Sequence, residues 1–126
     1  MTITLGFDIF GTLIDTAGIG EALREHVGDE APAFAGLWRS KQLEYVFRRG
    51  LMDRFRDFGV CTRDALDYCC LHFRAPLAAS DKQALMEQYR FLPAFPDARP
   101  GLTLLQQAGF RIFAFSMGRH DDLTAL

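Results

Sequence analysis

The sequence predicts an α/β fold in which two parallel strands, one near each end of the chain, flank a long helical stretch. Three observations predict it. Residues of about 3–8 alternate between apolar and polar and end on Asp8, just before Gly11-Thr12; helical periodicity fills most of residues 15–96; and an apolar run, Arg111-Ile112-Phe113-Ala114-Phe115, opens into Ser116-Met117-Gly118. Strands joined through helices pair in parallel, because a crossover returns the chain to the same end of the sheet. Their carboxyl ends then share one edge, where open α/β sheets bind their ligands.

The elements follow in order. In the first strand Ile3, Leu5 and Phe7 face one way and Thr2, Thr4 and Gly6 the other, with Ile9 and Phe10 carrying the apolar run to a tight turn at Gly11. Thr16 is the expected N-cap of a short helix over about 17–27, which breaks at Gly28-Asp29-Glu30. A longer helix spans about 32–49 and ends at Gly50. Over about 63–74, Leu66, Cys69, Cys70 and Phe73 fall on one helical face behind a Thr62 cap. A fourth helix covers about 81–90 and starts with Ser80-Asp81-Lys82-Gln83, the pattern of a capping box. Pro93, Pro96 and Pro100 mark a linker. Leu102, Leu105 and Ala108 then give one more helix face, closed by Gly109, and a last helix begins within His120 to Leu126. The expected architecture is a Rossmann-like parallel core, with only its first strands present, formed by residues 1–14 and 97–126, and a helical cap inserted over residues 15–96.

With 126 residues, 49% of them hydrophobic, the chain has the size of one domain and can bury a core without disulfides or a structural metal. Its 14 basic and 16 acidic residues leave a charge of −2, too weak a positive field for nucleic acid or an anionic membrane to be the expected partner. No run approaches the roughly 18 apolar residues of a membrane span, and the N-terminus lacks the basic start of a signal peptide. A cytoplasmic location is the expectation. Cys61, Cys69 and Cys70 lack metal-knuckle spacing and read as buried, reduced thiols; His26, His72 and His120 read as surface or helix-end residues, so no metal site is expected.

Four residues stand where chemistry is available. Asp8 emerges at a strand tip beside a glycine turn, either as a nucleophile shielded from bulk water or as a turn initiator. Thr12 either orients that carboxylate or caps the turn with its hydroxyl. Ser116, at the mouth of the second strand with Gly118 behind it, offers a hydroxyl and free N–H groups to an anion, or serves as an N-cap. Arg39 occupies a helix face otherwise made by Ala35, Leu43, Val46 and Phe47; its head either snorkels to water or presents a fixed positive charge to an anion in an apolar cleft. Lys41, Arg48 and Arg49 read as a solvated face, and Phe34, Leu37 and Trp38 as core.

Taken together, Phe7-Asp8-Ile9-Phe10-Gly11-Thr12-Leu13 resembles the first signature of the haloacid dehalogenase superfamily, and Ser116-Met117-Gly118 resembles the second. Leu37-Trp38-Arg39-Ser40-Lys41-Gln42-Leu43-Glu44-Tyr45 is similar to the cap helix of its L-2-haloacid dehalogenase branch. The resemblance implies hydrolytic removal of halide from short 2-haloalkanoic acids, giving 2-hydroxy acids through an aspartyl ester. It implies Asp8 as nucleophile, Thr12 as its positioner, Arg39 as halide acceptor and Ser116 as carboxylate seat. Phe10, Ser40, Leu43, Phe58 and Met117 are implied as substrate-binding residues, with no cofactor. A homodimer is implied as well.

Met117 stands where the branch usually has Asn, and Phe10 where it commonly has Tyr. The phosphatase branch carries a proton-donating Asp at the latter position; Phe10 cannot donate, which disfavours a magnesium-dependent phosphatase. Relatives run to nearly twice this length and supply, after the second signature, a lysine that pairs with the nucleophile and an acidic strand that activates water. The resemblance therefore leads to the expectation of an N-terminal fragment with little turnover of its own. The alternative reading is a truncated, non-catalytic remnant or interaction module.

Overall fold

The computed structural model describes residues 1–118 and 120–124. The chain runs β1 (Thr4–Asp8), α1 (Gly20–Val27), α2 (Ala31–Leu51), α3 (Phe58–His72), α4 (Ala79–Tyr89), α5 (Ala98–Gln107), β2 (Arg111–Phe115) and α6 (His120–Thr124), with short 3-10 turns at Thr16–Ile19 and Gly28–Glu30. Residues 125 and 126 of the expected last helix lie outside the described residues.

β1 and β2 pair in parallel, in a register that sets Thr4 against Arg111 and Asp8 against Phe115. The Arg111 N–H donates to the Ile3 carbonyl at 3.0 Å, which extends the ladder by one residue. Both strands therefore end together, and Ser116 leaves β2 one residue beyond the partner of Asp8. After β1 the chain turns sharply at Gly11, whose φ of 87° lies in the left-handed region that a side chain disfavours. The N–H groups of Thr12, Leu13 and Ile14 all donate to the Ile9 carbonyl, at 3.2, 2.9 and 3.0 Å. The returning linker pins this turn, with Phe95 N–H on Leu13 O at 2.9 Å and Asp15 N–H on Pro93 O at 2.8 Å.

Between the strands, α1 to α4 build the apolar core. Leu23, Phe34, Trp38, Leu66 and Cys69 are fully buried, and Leu85 nearly so. Phe34 meets Trp38 edge-on at 6.5 Å and stacks on Phe73 at 5.1 Å, while Trp38 lies 5.0 Å from Tyr89. Burying each such side chain contributes about 1.5–3 kcal/mol, so this layer is the stable part of the fold.

Several helix starts differ from the sequence expectation. Asp15, not Thr16, caps the first turn, its carboxylate accepting from Ala17 N–H at 2.9 Å. Asp57 caps α3, accepting from Val60 N–H at 3.0 Å, and Thr62 lies inside the helix, donating to the Phe58 carbonyl at 2.7 Å. α4 begins before Ser80; Asp81 accepts from Ala78 N–H at 3.0 Å, while Gln83 takes a hydrogen bond from Arg63 at 3.0 Å instead of capping. α2 passes through Gly50 to Leu51, and the reversal of backbone hand falls on Asp53 at φ 54°. Pro100 sits in the first turn of α5, where its missing N–H leaves no helical bond unmade. Arg49 does not simply face solvent. It reaches across to α3 and pairs with Asp64 at 2.6 Å.

Candidate active site

The parallel register brings the Asp8 carboxylate and the Ser116 loop to one edge of the sheet, as the sequence order requires. Thr12 Oγ1 donates to Asp8 Oδ2 at 3.0 Å, so the turn after β1 holds one carboxylate oxygen. On β2's side, Ser116 Oγ accepts from the Gly118 N–H at 3.1 Å, which leaves the serine proton available to an acceptor. Gly118 is needed for a close approach: a Cβ there would stand 3.0 Å from Phe10 Cε2 and from Leu123 Cδ2.

Arg39 descends on this edge from α2. Its Nη2 donates to the Phe10 carbonyl at 2.9 Å and its Nη1 to Gln42 Oε1 at 2.7 Å. The guanidinium is half-buried rather than snorkelled to bulk water. Phe10 is buried and stacks on Phe58 at 5.4 Å, forming an apolar wall.

Asp8, Phe10, Arg39, Phe58, Ser116 and Met117 together line one small cleft of about 20 Å³. Thr12 joins it through its bond to Asp8. Ser40 is exposed on α2 and Leu43 half-buried on it, and neither is among the residues lining the cleft. Arg39 also borders a second, larger hollow of about 570 Å³ beside Thr16 to Gly18 and the start of α2. The guanidinium thus separates the inner cleft from an outer one.

Sequence reasoning missed the group that anchors Arg39. Gln42 is fully buried, one turn along the same face of α2, and accepts from both Arg39 and the Tyr89 hydroxyl, the latter at 3.1 Å. Burial pushes the Tyr89 hydroxyl's pKa up, against the opposing pull of Arg39 and Gln42. The available signal was a second polar residue within an apolar stripe, spaced one turn from the arginine. Cys61, Cys69 and Cys70 lie buried behind this layer as free thiols, away from the cleft.

A carboxylate at the tip of the first strand, a Ser-Gly loop at the tip of the next and an arginine brought onto both from the intervening helices give the chain a Rossmann-like α/β arrangement. No protein-family model matches the chain. It is 35% identical over 117 residues to an (S)-2-haloacid dehalogenase of Pseudomonas putida, covering 93% of this chain and 52% of that protein. The L-2-haloacid dehalogenase of Xanthobacter autotrophicus superposes with a TM-score of 0.90 at 32% identity, covering all of this chain and 51% of that one. The same enzyme with chloropropionic acid covalently bound superposes equally well, at 0.90. By sequence and fold the chain is similar to the L-2-haloacid dehalogenases. It spans about half the length of the relatives it matches.

Proposed function

We propose that the chain carries the displacement half of a 2-haloacid dehalogenase reaction, acting on short 2-haloalkanoic acids. Residues 1–14 and 97–126 supply the core groups and residues 15–96 the cap. The observation that carries this reading is the meeting of Asp8, Arg39 and Ser116 in one cleft.

In this reading Thr12 holds Oδ2 of Asp8, and Oδ1 attacks the halogen-bearing carbon from the side opposite the halogen. A carbon–oxygen bond forms as the carbon–halogen pair leaves with the halide, so configuration inverts. Arg39 receives the halide, because its weakly hydrated guanidinium is suited to an anion in an apolar cleft. The Ser116 hydroxyl donates to the substrate carboxylate, and Phe10, Phe58 and Met117 enclose the alkyl group. The hydrolytic half, in which water adds to Cγ of Asp8 and cleaves the ester to release a 2-hydroxy acid and a proton and restore the carboxylate, completes the reaction of the whole enzyme. Two easier steps replace one difficult displacement, with no cofactor required. A small molecule is the partner in this reaction, and a homodimer is its proposed assembly.

The test is halide release from 2-chloropropionate, with the ester on Asp8 sought by mass spectrometry. Asp8→Asn and Arg39→Ala should abolish release, and Thr12→Val should slow it without changing unfolding stability. Activity on phosphate esters that needs magnesium would overturn the reading.

A further inference from the structure

Arg39 is held by a group that takes no part in the displacement. Gln42 is fully buried, yet each of its polar atoms has a partner. Its Oε1 accepts from Arg39 Nη1 at 2.7 Å and from the Tyr89 hydroxyl at 3.1 Å; its Nε2 donates to Thr62 Oγ1 at 2.6 Å. Thr62 in turn donates to the Phe58 carbonyl at 2.7 Å, and its own carbonyl accepts from Trp38 Nε1 at 2.8 Å. The amide can stand only this way round. Flipped, its N–H₂ group would face the guanidinium donor, and its oxygen would face Thr62 Oγ1, whose proton is already given to the Phe58 carbonyl.

The neutrality of this anchor matters as much as its position. A carboxylate at position 42 would bind the guanidinium more strongly but would cancel its charge within the low-dielectric layer. An amide oxygen takes the N–H without adding a negative charge of its own, so the guanidinium keeps its positive charge towards the cleft it shares with Asp8. Further constraint comes from the Phe10 carbonyl, also neutral, at 2.9 Å, and from the Tyr89 hydroxyl, which meets Arg39 as well as Gln42. Two neutral acceptors thus fix a long, flexible side chain at both of its terminal nitrogens, removing rotamer freedom that anion binding would otherwise have to overcome.

We propose that Gln42, backed by Tyr89, is a positioning residue that aims the Arg39 guanidinium at the departing halide while preserving its full charge. The proposal rests on the reading of Arg39 as halide acceptor. Gln42 touches no reacting atom and acts only through Arg39.

Chloride binding to the 126-residue chain, read as chlorine-NMR line broadening during titration with sodium chloride, tests it. Emission of Trp38, the one tryptophan and fully buried, reports whether each variant keeps its core. Gln42→Met should weaken chloride binding about ten-fold, and Tyr89→Phe about two- to three-fold, the scale of one lost orienting hydrogen bond. Gln42→Glu should lose chloride binding near neutral pH and regain it as the pH falls and the new carboxyl is protonated, which a purely structural role would not produce. Unchanged binding in Gln42→Met and Tyr89→Phe with native Trp38 emission, or a pH-independent Gln42→Glu, would overturn the proposal while leaving Arg39's role intact. Should Gln42→Met lose native emission, Tyr89→Phe decides, since it removes one hydroxyl and keeps the ring against Trp38. Absence of chloride binding in the unaltered chain would overturn the reading of Arg39, and this proposal with it.

Discussion

The guanidinium of Arg39 donates to the main-chain carbonyl of Phe10, 29 residues earlier, at 2.9 Å. This bond ties the long helix α2 to the turn that follows the aspartate strand. It lies at the joint between the helical stretch and the sheet, so its loss should be felt in stability as well as in chemistry.

Arg39→Lys is the sharpest probe of that joint. An ammonium keeps the charge but cannot reach the Phe10 carbonyl and Gln42 from two nitrogens of one plane. The expected cost is about 1–2 kcal/mol, read as a lower urea midpoint with unchanged slope. An unchanged midpoint would mean that the joint contributes nothing to folding.

Two glycines should respond in opposite directions. Gly11 holds φ 87°, so Gly11→Ala should destabilise by about 1–2 kcal/mol through backbone strain. Gly36 lies within α2 with open space where a Cβ would go, so Gly36→Ala should stabilise by about 0.5–1 kcal/mol. Urea unfolding of the two variants beside the parent chain checks both signs.

Cys69 gives the pH dependence. Burial pushes its thiol from the ordinary value of 9.0 up to about 12, with Cys70 moved the same way. A group whose pKa is raised on folding lends stability that is complete below its unfolded value and fades as pH rises through its folded one. The fold should therefore weaken as pH climbs from about 9 towards 12. Iodoacetamide at mildly alkaline pH should label both thiols slowly in the native chain and fully in denaturant; rapid native labelling would contradict the burial.

Much of this was legible from residue order. Asp8 and Ser116 end two strands separated by helices, and parallel pairing follows from that order alone. The helix starts were less legible, for a physical reason. Thr16, Thr62 and Ser80 have capping hydroxyls, but Asp15, Asp57 and Asp81 stand one to five residues away, and a carboxylate facing free N–H groups is the stronger acceptor. Gln42 was hidden because its meaning depends on Tyr89 and Thr62, which only the packed helices bring to it. The choice for Arg39 between water and a fixed position was undecidable for the same reason. Its holding acceptor is a main-chain carbonyl, which no side-chain pattern reveals.

The register that joins Asp8 to Phe115 has a temporal consequence. β1 and β2 come from opposite ends of the described chain, so their pairing must close a loop around nearly everything else, while α1 to α4 rest on contacts closer in sequence. The helical layer should form first and the strand pair last, and local opening should run in reverse. Native-state hydrogen exchange would then show β1 and β2 amides exchanging ahead of those in α2 and α3. The cleft would be the last part of the molecule to be assembled and the first to be given up.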